Sequence, residues 1–194
     1  NHMVVMPDAD MDQVVDSIMG AAYGSAGERC MAVSVVVAVG DDTADEMMSL
    51  LKPRIGALKV GAYNQEGAEM GPVVTPDARD RIRGYIDRGV EEGAELVVDG
   101  RDIKVAGYEN GCFVGATVFD KVEPGMSIYK DEIFGPVLSV VRAGSYDEAV
   151  SLVNVHEYGN GTAIFTRDGD VARDFSHRIQ IGMVGVNVPI PVPL

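Results

Sequence analysis

Ser34-Val35-Val36-Val37-Ala38-Val39-Gly40, followed by Asp41-Asp42-Thr43-Ala44-Asp45-Glu46-Met47-Met48-Ser49-Leu50-Leu51, is the stretch that decides the fold. The first run is apolar, mostly β-branched and bounded by glycine, which reads as a buried strand. Thr43 with Glu46 three residues on reads as a capping box. It opens a helix that turns Met47, Leu50 and Leu51 inward and closes before Pro53. A buried strand feeding directly into a helix is the unit of a layered sheet with crossover connections.

Outward from that unit the same alternation repeats. Upstream, Asp10 and Gln13 resemble a capping pair, and Met11, Val14, Val15, Ile18, Met19 and Ala22 lie on one helical face before Gly24 and Gly27 end it. Downstream, residues 59–75 hold three glycines and little periodicity, so they read as a long surface excursion of the kind that often carries function. Thr75 then caps a helix with Pro76 in its first turn and Ile82, Ile86 and Val90 on one face, stopped by Gly93. A short strand follows at 95–98, with β-like runs at 113–119 and 137–142 on either side of an acidic, glycine-containing connection. Ser145 and Glu148 cap another helix, 162–166 is a strand, Val171, Phe175 and Ile179 mark a last helix, and 183–188 is a last strand. The fold class expected is α/β, a mostly parallel sheet flanked by helices, in a single domain spanning 1–194. The final Pro189-Ile190-Pro191-Val192-Pro193-Leu194 can continue neither a helix nor a central strand, so it is expected as an extended exit.

Composition narrows the partners. Sixteen Lys and Arg against thirty Asp and Glu give a net charge of −14, a field that repels nucleic acid and anionic membrane surfaces. Cys30 and Cys112 form no CxxC pair and only His2, His156 and His177 accompany them, so neither a zinc site nor a disulfide framework is expected. The longest apolar run, 31–39, is broken by Ser34 and falls short of the about 20 residues a membrane span needs, so a soluble protein of a reducing compartment is expected. No glycine-rich phosphate loop of the form GxGxxG follows a strand, so phosphate sites are not expected to be complete. The opening Asn1-His2-Met3 carries no signal-type leader, which suggests either a piece of something longer or a cloning scar.

Two segments carry the candidate chemistry. In Ala26-Gly27-Glu28-Arg29-Cys30-Met31-Ala32 a lone thiol stands between a glycine-broken helix end and an apolar strand. A catalytic thiol needs nearby positive charge or oriented amides, and Arg29 offers the former; the alternative is a buried thiol acting as a small hydrophobe. In Lys130-Asp131-Glu132-Ile133-Phe134-Gly135-Pro136-Val137 a carboxylate, a ring and a Gly-Pro turn precede a strand. Glu132 can accept two hydrogen bonds from a vicinal diol such as a ribose, and Phe134 can pack on a flat cofactor; the alternative is a solvated Glu and a core Phe. Cys112 begins an apolar strand and reads as structural. His156 and His177 sit on predicted helices and read as surface or packing residues, and His2 is unassigned.

Gly27-Glu28-Arg29-Cys30, Gly71-Pro72-Val73-Val74 and Glu132-Ile133-Phe134-Gly135-Pro136 together resemble the aldehyde dehydrogenase superfamily in order and spacing. The resemblance runs through essentially the whole chain, including Gly111-Cys112-Phe113, Tyr158-Gly159 and Gly185-Val186-Asn187. Its termini, Asn1-His2, Val4-Val5-Met6-Pro7-Asp8 and the stretch from Val186 to Leu194, are similar to the CoA-acylating methylmalonate-semialdehyde (malonate-semialdehyde) dehydrogenases, which makes Asn1-His2 native sequence. The resemblance implies the catalytic, nucleophile-bearing domain of a longer homo-oligomeric enzyme, without its Rossmann-type NAD domain and oligomerisation flap. It implies Cys30 as the nucleophile that forms a thioester, Glu132 and Phe134 as contacts of the nicotinamide ribose and ring, NAD as cofactor, coenzyme A as acyl acceptor and no metal. An oxyanion donor, an Asn side chain, would lie upstream of this chain. Arg29 would read a semialdehyde carboxylate, activate Cys30 or pair with Glu28. Location would be cytoplasmic in a bacterium and the mitochondrial matrix in a eukaryote. The alternatives are a hydrolytic aldehyde dehydrogenase and, for the chain alone, an inactive folded module that binds its missing partners.

Overall fold

The computed structural model describes residues 1–190. It contains one seven-stranded sheet with strands β1 (His2–Val5), β2 (Val35–Val39), β3 (Glu95–Val98), β4 (Thr117–Asp120), β5 (Val137–Ala143), β6 (Gly161–Phe165) and β7 (Met183–Val186). Their spatial order is β3-β4-β5-β2-β1-β6-β7, and every neighbouring pair is parallel except β3 with β4. The expected mostly parallel α/β sheet is therefore what forms. Helices α1 (Met11–Tyr23), α2 (Asp41–Ala57), α3 (Pro76–Glu91), α4 (Ser127–Lys130), α5 (Tyr146–Val155) and α6 (Gly169–Arg178) connect and flank the strands.

Burial follows position in the sheet. Strands β1, β2, β4 and β6 are buried at every residue, as strands covered on both faces must be. The edge strands β3 and β7 are mostly half-buried or exposed. Buried hydroxyls inside this apolar layer are all partnered: Thr162 donates to the His2 carbonyl, Ser139 to Ile128 and Tyr23 to Thr117.

Several local expectations need correction. The central strand β1 was not anticipated, because four residues directly before a Met-Pro-Asp turn show neither alternation nor a long apolar run. Helix α2 starts at Asp41 with Gly40 as its cap, and Thr43 lies inside it, donating its hydroxyl back to the Val39 carbonyl at 2.7 Å. It also runs through Pro53 to Ala57, since the last turn buries Ile55 beside Leu51 and so offsets the lost backbone bond. Val90 is exposed instead of facing inward with Ile82 and Ile86. The runs expected at 113–119 and 183–188 are strands only at Thr117–Asp120 and Met183–Val186, and the helical turn α4 fills part of the acidic connection. By contrast the caps at Asp10, Thr75 and Ser145 each accept the expected backbone N–H, from Gln13, Ala78 and Glu148. The extended exit expected at 189–194 lies largely outside the described residues.

Met3, fully buried in the middle of β1, tests how much the unanticipated strand contributes. Met3→Ala should cost about 2–5 kcal/mol of unfolding free energy, read as a lower urea midpoint with an unchanged slope.

Candidate active-site cleft

The two motifs meet at the amino ends of β1, β2, β5 and β6, around an open cleft of about 180 Å³. Cys30, Arg29, Glu132 and Phe134 all line it, together with His2, Tyr129, His156, Tyr158 and Asn160. Cys30 is exposed, which removes the reading of a buried hydrophobic thiol, whereas Cys112 is half-buried and lies outside this cleft.

The cysteine loop begins where α1 stops. Ser25, Ala26 and Gly27 are consecutive left-handed residues, with φ of 54°, 54° and 70°. Two of them carry a Cβ, at a cost of roughly 1–2 kcal/mol each. The turn persists because it is held from several sides: Glu28 N–H donates to the Ser25 carbonyl, Val33 N–H to Ala21, and the Arg29 Nε to the Ser25 hydroxyl at 3.0 Å. Gly27 has no alternative there. A Cβ on it would stand 2.2 Å from the carbonyl oxygen of Gly135, so the two motif loops touch backbone to backbone. Gly135 in turn sits against Ile82 of α3, which a Cβ would meet at 2.5 Å.

Arg29 and Glu28 do not pair. The Arg29 guanidinium lies over Gly24 with Nε on Ser25, while Glu28 Oε2 accepts the Val74 N–H at 3.0 Å and Oε1 is buried with no partner among the described residues. The end of the long 59–75 excursion thus ties down the cysteine loop, a contact the sequence suggested only by placing function in that loop.

The Cys30 carbonyl accepts two side-chain amides, Asn1 Nδ2 at 2.8 Å and Asn160 Nδ2 at 3.0 Å. Asn1 also donates to the Ala32 carbonyl at 2.9 Å and accepts the Gly161 N–H at 3.0 Å. Sequence reasoning assigned neither residue a role, and isolated asparagines before strands carry no signal that could have done so.

Across the cleft, Glu132 is exposed and accepts no hydrogen bond among the described residues, and Phe134 is half-buried at φ 54°. A carboxylate with free lone pairs two residues from a ring held in a strained turn fits a diol and a flat heterocycle. Behind them His2, Tyr129 and His156 form a cluster with ring centroids 5.0–5.4 Å apart. The Tyr129 hydroxyl donates to the Leu152 carbonyl, so His2 Nε2–H donates to that hydroxyl at 3.0 Å. His156 follows the end of α5 instead of sitting within it; it accepts the Tyr158 N–H on Nδ1 and donates from Nε2 to the Tyr129 carbonyl. With both nitrogens engaged it is no base for Cys30. His177 is exposed on α6, away from the cleft. Burial, reinforced by the chain's amino group and by His156, pushes the His2 imidazole down to about 3. Among the described residues no group of three or more His, Cys, Asp or Glu side chains is arranged to hold a metal ion.

The aldehyde dehydrogenase family model matches residues 1–193. The chain belongs to the aldehyde dehydrogenase family. It is 62% identical over 194 residues to a malonate-semialdehyde dehydrogenase of Pseudomonas aeruginosa, covering all of this chain and 39% of that one. It is 52% identical over 189 residues to the bovine mitochondrial acylating methylmalonate-semialdehyde/malonate-semialdehyde dehydrogenase, covering 97% of this chain and 35% of that one. A crystal structure from Sinorhizobium meliloti, described as a methylmalonate-semialdehyde dehydrogenase complexed with NAD, superposes with a TM-score of 0.98 at 64% identity, covering all of this chain and 40% of that one. The chain thus spans about 40% of the length of these relatives, and its sheet and helices are those of the family fold.

Two outcomes test the geometry. Gly27→Ala must displace the Gly135 carbonyl while holding a left-handed alanine, so it should cost about 3 kcal/mol or more in chemical denaturation. His2 is held neutral in the fold but titrates near 6.5 when unfolded, so the unfolded chain binds the extra proton between pH 6.5 and 3. Stability should therefore fall on acidification through that window, by about 2 kcal/mol at pH 5 for this group, and His2→Asn should flatten that part of the pH–stability curve.

Proposed function

We propose that this chain is the catalytic, nucleophile-bearing domain, residues 1–194, of an NAD-dependent, CoA-acylating malonate- or methylmalonate-semialdehyde dehydrogenase. The observation that carries the reading is the exposed Cys30 thiol sharing one cleft with the Phe134 ring and a Glu132 carboxylate that has no hydrogen-bond partner among the described residues. The identity to acylating semialdehyde dehydrogenases over the whole chain supports the substrate class.

In this reading the Cys30 thiolate attacks the aldehyde carbon, and Cys30 then carries the acyl group as a thioester until the thiol of coenzyme A takes it, with loss of the substrate carboxylate as CO₂. Bound NAD supplies the hydride acceptor. Glu132 accepts hydrogen bonds from the nicotinamide ribose and Phe134 packs on the ring. Arg29, exposed at the mouth with its Nε on Ser25, offers the remaining guanidinium nitrogens to the substrate carboxylate. The remaining cofactor platform and an oxyanion donor belong to segments outside this chain, in a homo-oligomeric parent of the bacterial cytoplasm or the mitochondrial matrix. No helix among the described residues is long and apolar enough to cross a membrane.

Mild iodoacetamide should label Cys30 well before Cys112, followed by peptide mass spectrometry; equal rates overturn the assignment of the nucleophile. In the full-length enzyme, NADH formation from malonate semialdehyde should stall after one turnover without coenzyme A. Sustained NADH formation without it would place the enzyme in the hydrolytic branch instead.

A further inference from the structure

We infer that Asn160 and Asn1 are positioning residues for the nucleophile: two side-chain amides, from the starts of adjacent parallel strands, clamp the Cys30 carbonyl and so fix where its thiol stands. The inference rests on the reading of Cys30 as nucleophile and adds the means by which it is held. The carbonyl of Cys30 accepts Asn1 Nδ2 at 2.8 Å and Asn160 Nδ2 at 3.0 Å, which occupies both of its lone pairs. Asn1 is itself fixed, accepting the Gly161 N–H and donating to the Ala32 carbonyl. Asn1 precedes β1 and Asn160 precedes β6, and these strands pair in parallel with His2 opposite Thr162. The clamp is therefore anchored in the rigid centre of the sheet.

The cysteine loop needs such an anchor. Its upstream side is a run of left-handed residues that would relax if released, and downstream Ala32 N–H donates to the Arg29 carbonyl, Val33 N–H to Ala21, and Ser34 and Val35 N–H to Asn1. None of these fixes the peptide that follows Cys30. Two amide donors on that peptide's oxygen do, and they leave the thiol exposed in the cleft. Nucleophilic attack depends steeply on such placement, so losing one donor costs reactivity at Cys30 without disturbing distant sites.

The test is the second-order rate of iodoacetamide alkylation at Cys30 in the 194-residue chain, with Cys112 as internal reference. Asn160→Leu and the isosteric Asn160→Asp, which cannot donate, should each slow Cys30 by roughly tenfold, the scale of one lost hydrogen bond, while Cys112 is unchanged. Asn160→Gln, which retains an amide, should recover part of the rate. If Asn160→Leu unfolds, Cys112 labelling rises and the Asp and Gln variants decide the matter. Cys30 rates that are equal in the Asp, Gln and native chains overturn the clamp. A native chain that labels Cys30 no faster than Cys112 instead overturns the nucleophile assignment, so the two failures are distinct.

Discussion

Everything in the cleft depends on one close approach, the backbone of Gly27 against the carbonyl of Gly135. No side chain fits between them, so the loop that carries Cys30 and the loop that carries Glu132 and Phe134 form one body. Gly135 rests on Ile82, which extends that body to α3, and Val74, just before the cap of α3, donates to Glu28 on the other side of the cysteine turn. The strain of Ser25, Ala26 and Phe134 in left-handed conformations is tolerable only because these contacts over-determine the backbone. Strain at three non-glycine positions in two touching loops marks where rigidity has been concentrated.

The cleft also lies at an unusual end of the sheet. Open parallel sheets tend to bind ligands beyond the carboxyl ends of their strands, where helix N-termini point at phosphates. Here the cysteine loop follows the C-terminal end of α1, and His156 follows the C-terminal end of α5. Helix C-termini carry partial negative charge and offer carbonyls, so this end favours neither phosphate nor thiolate. Side-chain amides are used here for a different purpose: Asn1 and Asn160 donate to the Cys30 carbonyl and so hold its peptide in place.

Much of this was legible in the sequence because it rests on local rules. The apolar 34–40 run, the caps at Asp10, Thr75 and Ser145, and the glycine at 27 each encode their conformation within a few residues. The sheet class followed from their alternation. What was not legible depends on pairing across long stretches of chain. Strand β1 is defined by β2 and β6 on its two sides, not by its own four residues. Pro53 stays helical because Ile55 finds the core, a tertiary gain that overrides a local penalty. In the cleft, the motif residues Cys30, Glu132 and Phe134 could be singled out from the sequence, but the groups that hold their loops, Asn1, Asn160, Tyr129 and the two imidazoles, could not. Their roles arise only where strand starts 29, 127 and 130 positions away in sequence converge.

The same convergence explains why His2 sits, neutral, in the cleft beside Cys30. Its Nε2–H is committed to Tyr129, whose backbone carbonyl takes His156, and Tyr129 stands just before the Asp131 to Phe134 turn. The two imidazoles therefore act as hydrogen-bonding struts on the residue that launches the Glu132–Phe134 loop. A protonated His2 would put an uncompensated charge among buried rings. The wall facing Cys30 is thus pre-organised in its neutral form, and its cost on acidification follows from the same burial that makes it rigid.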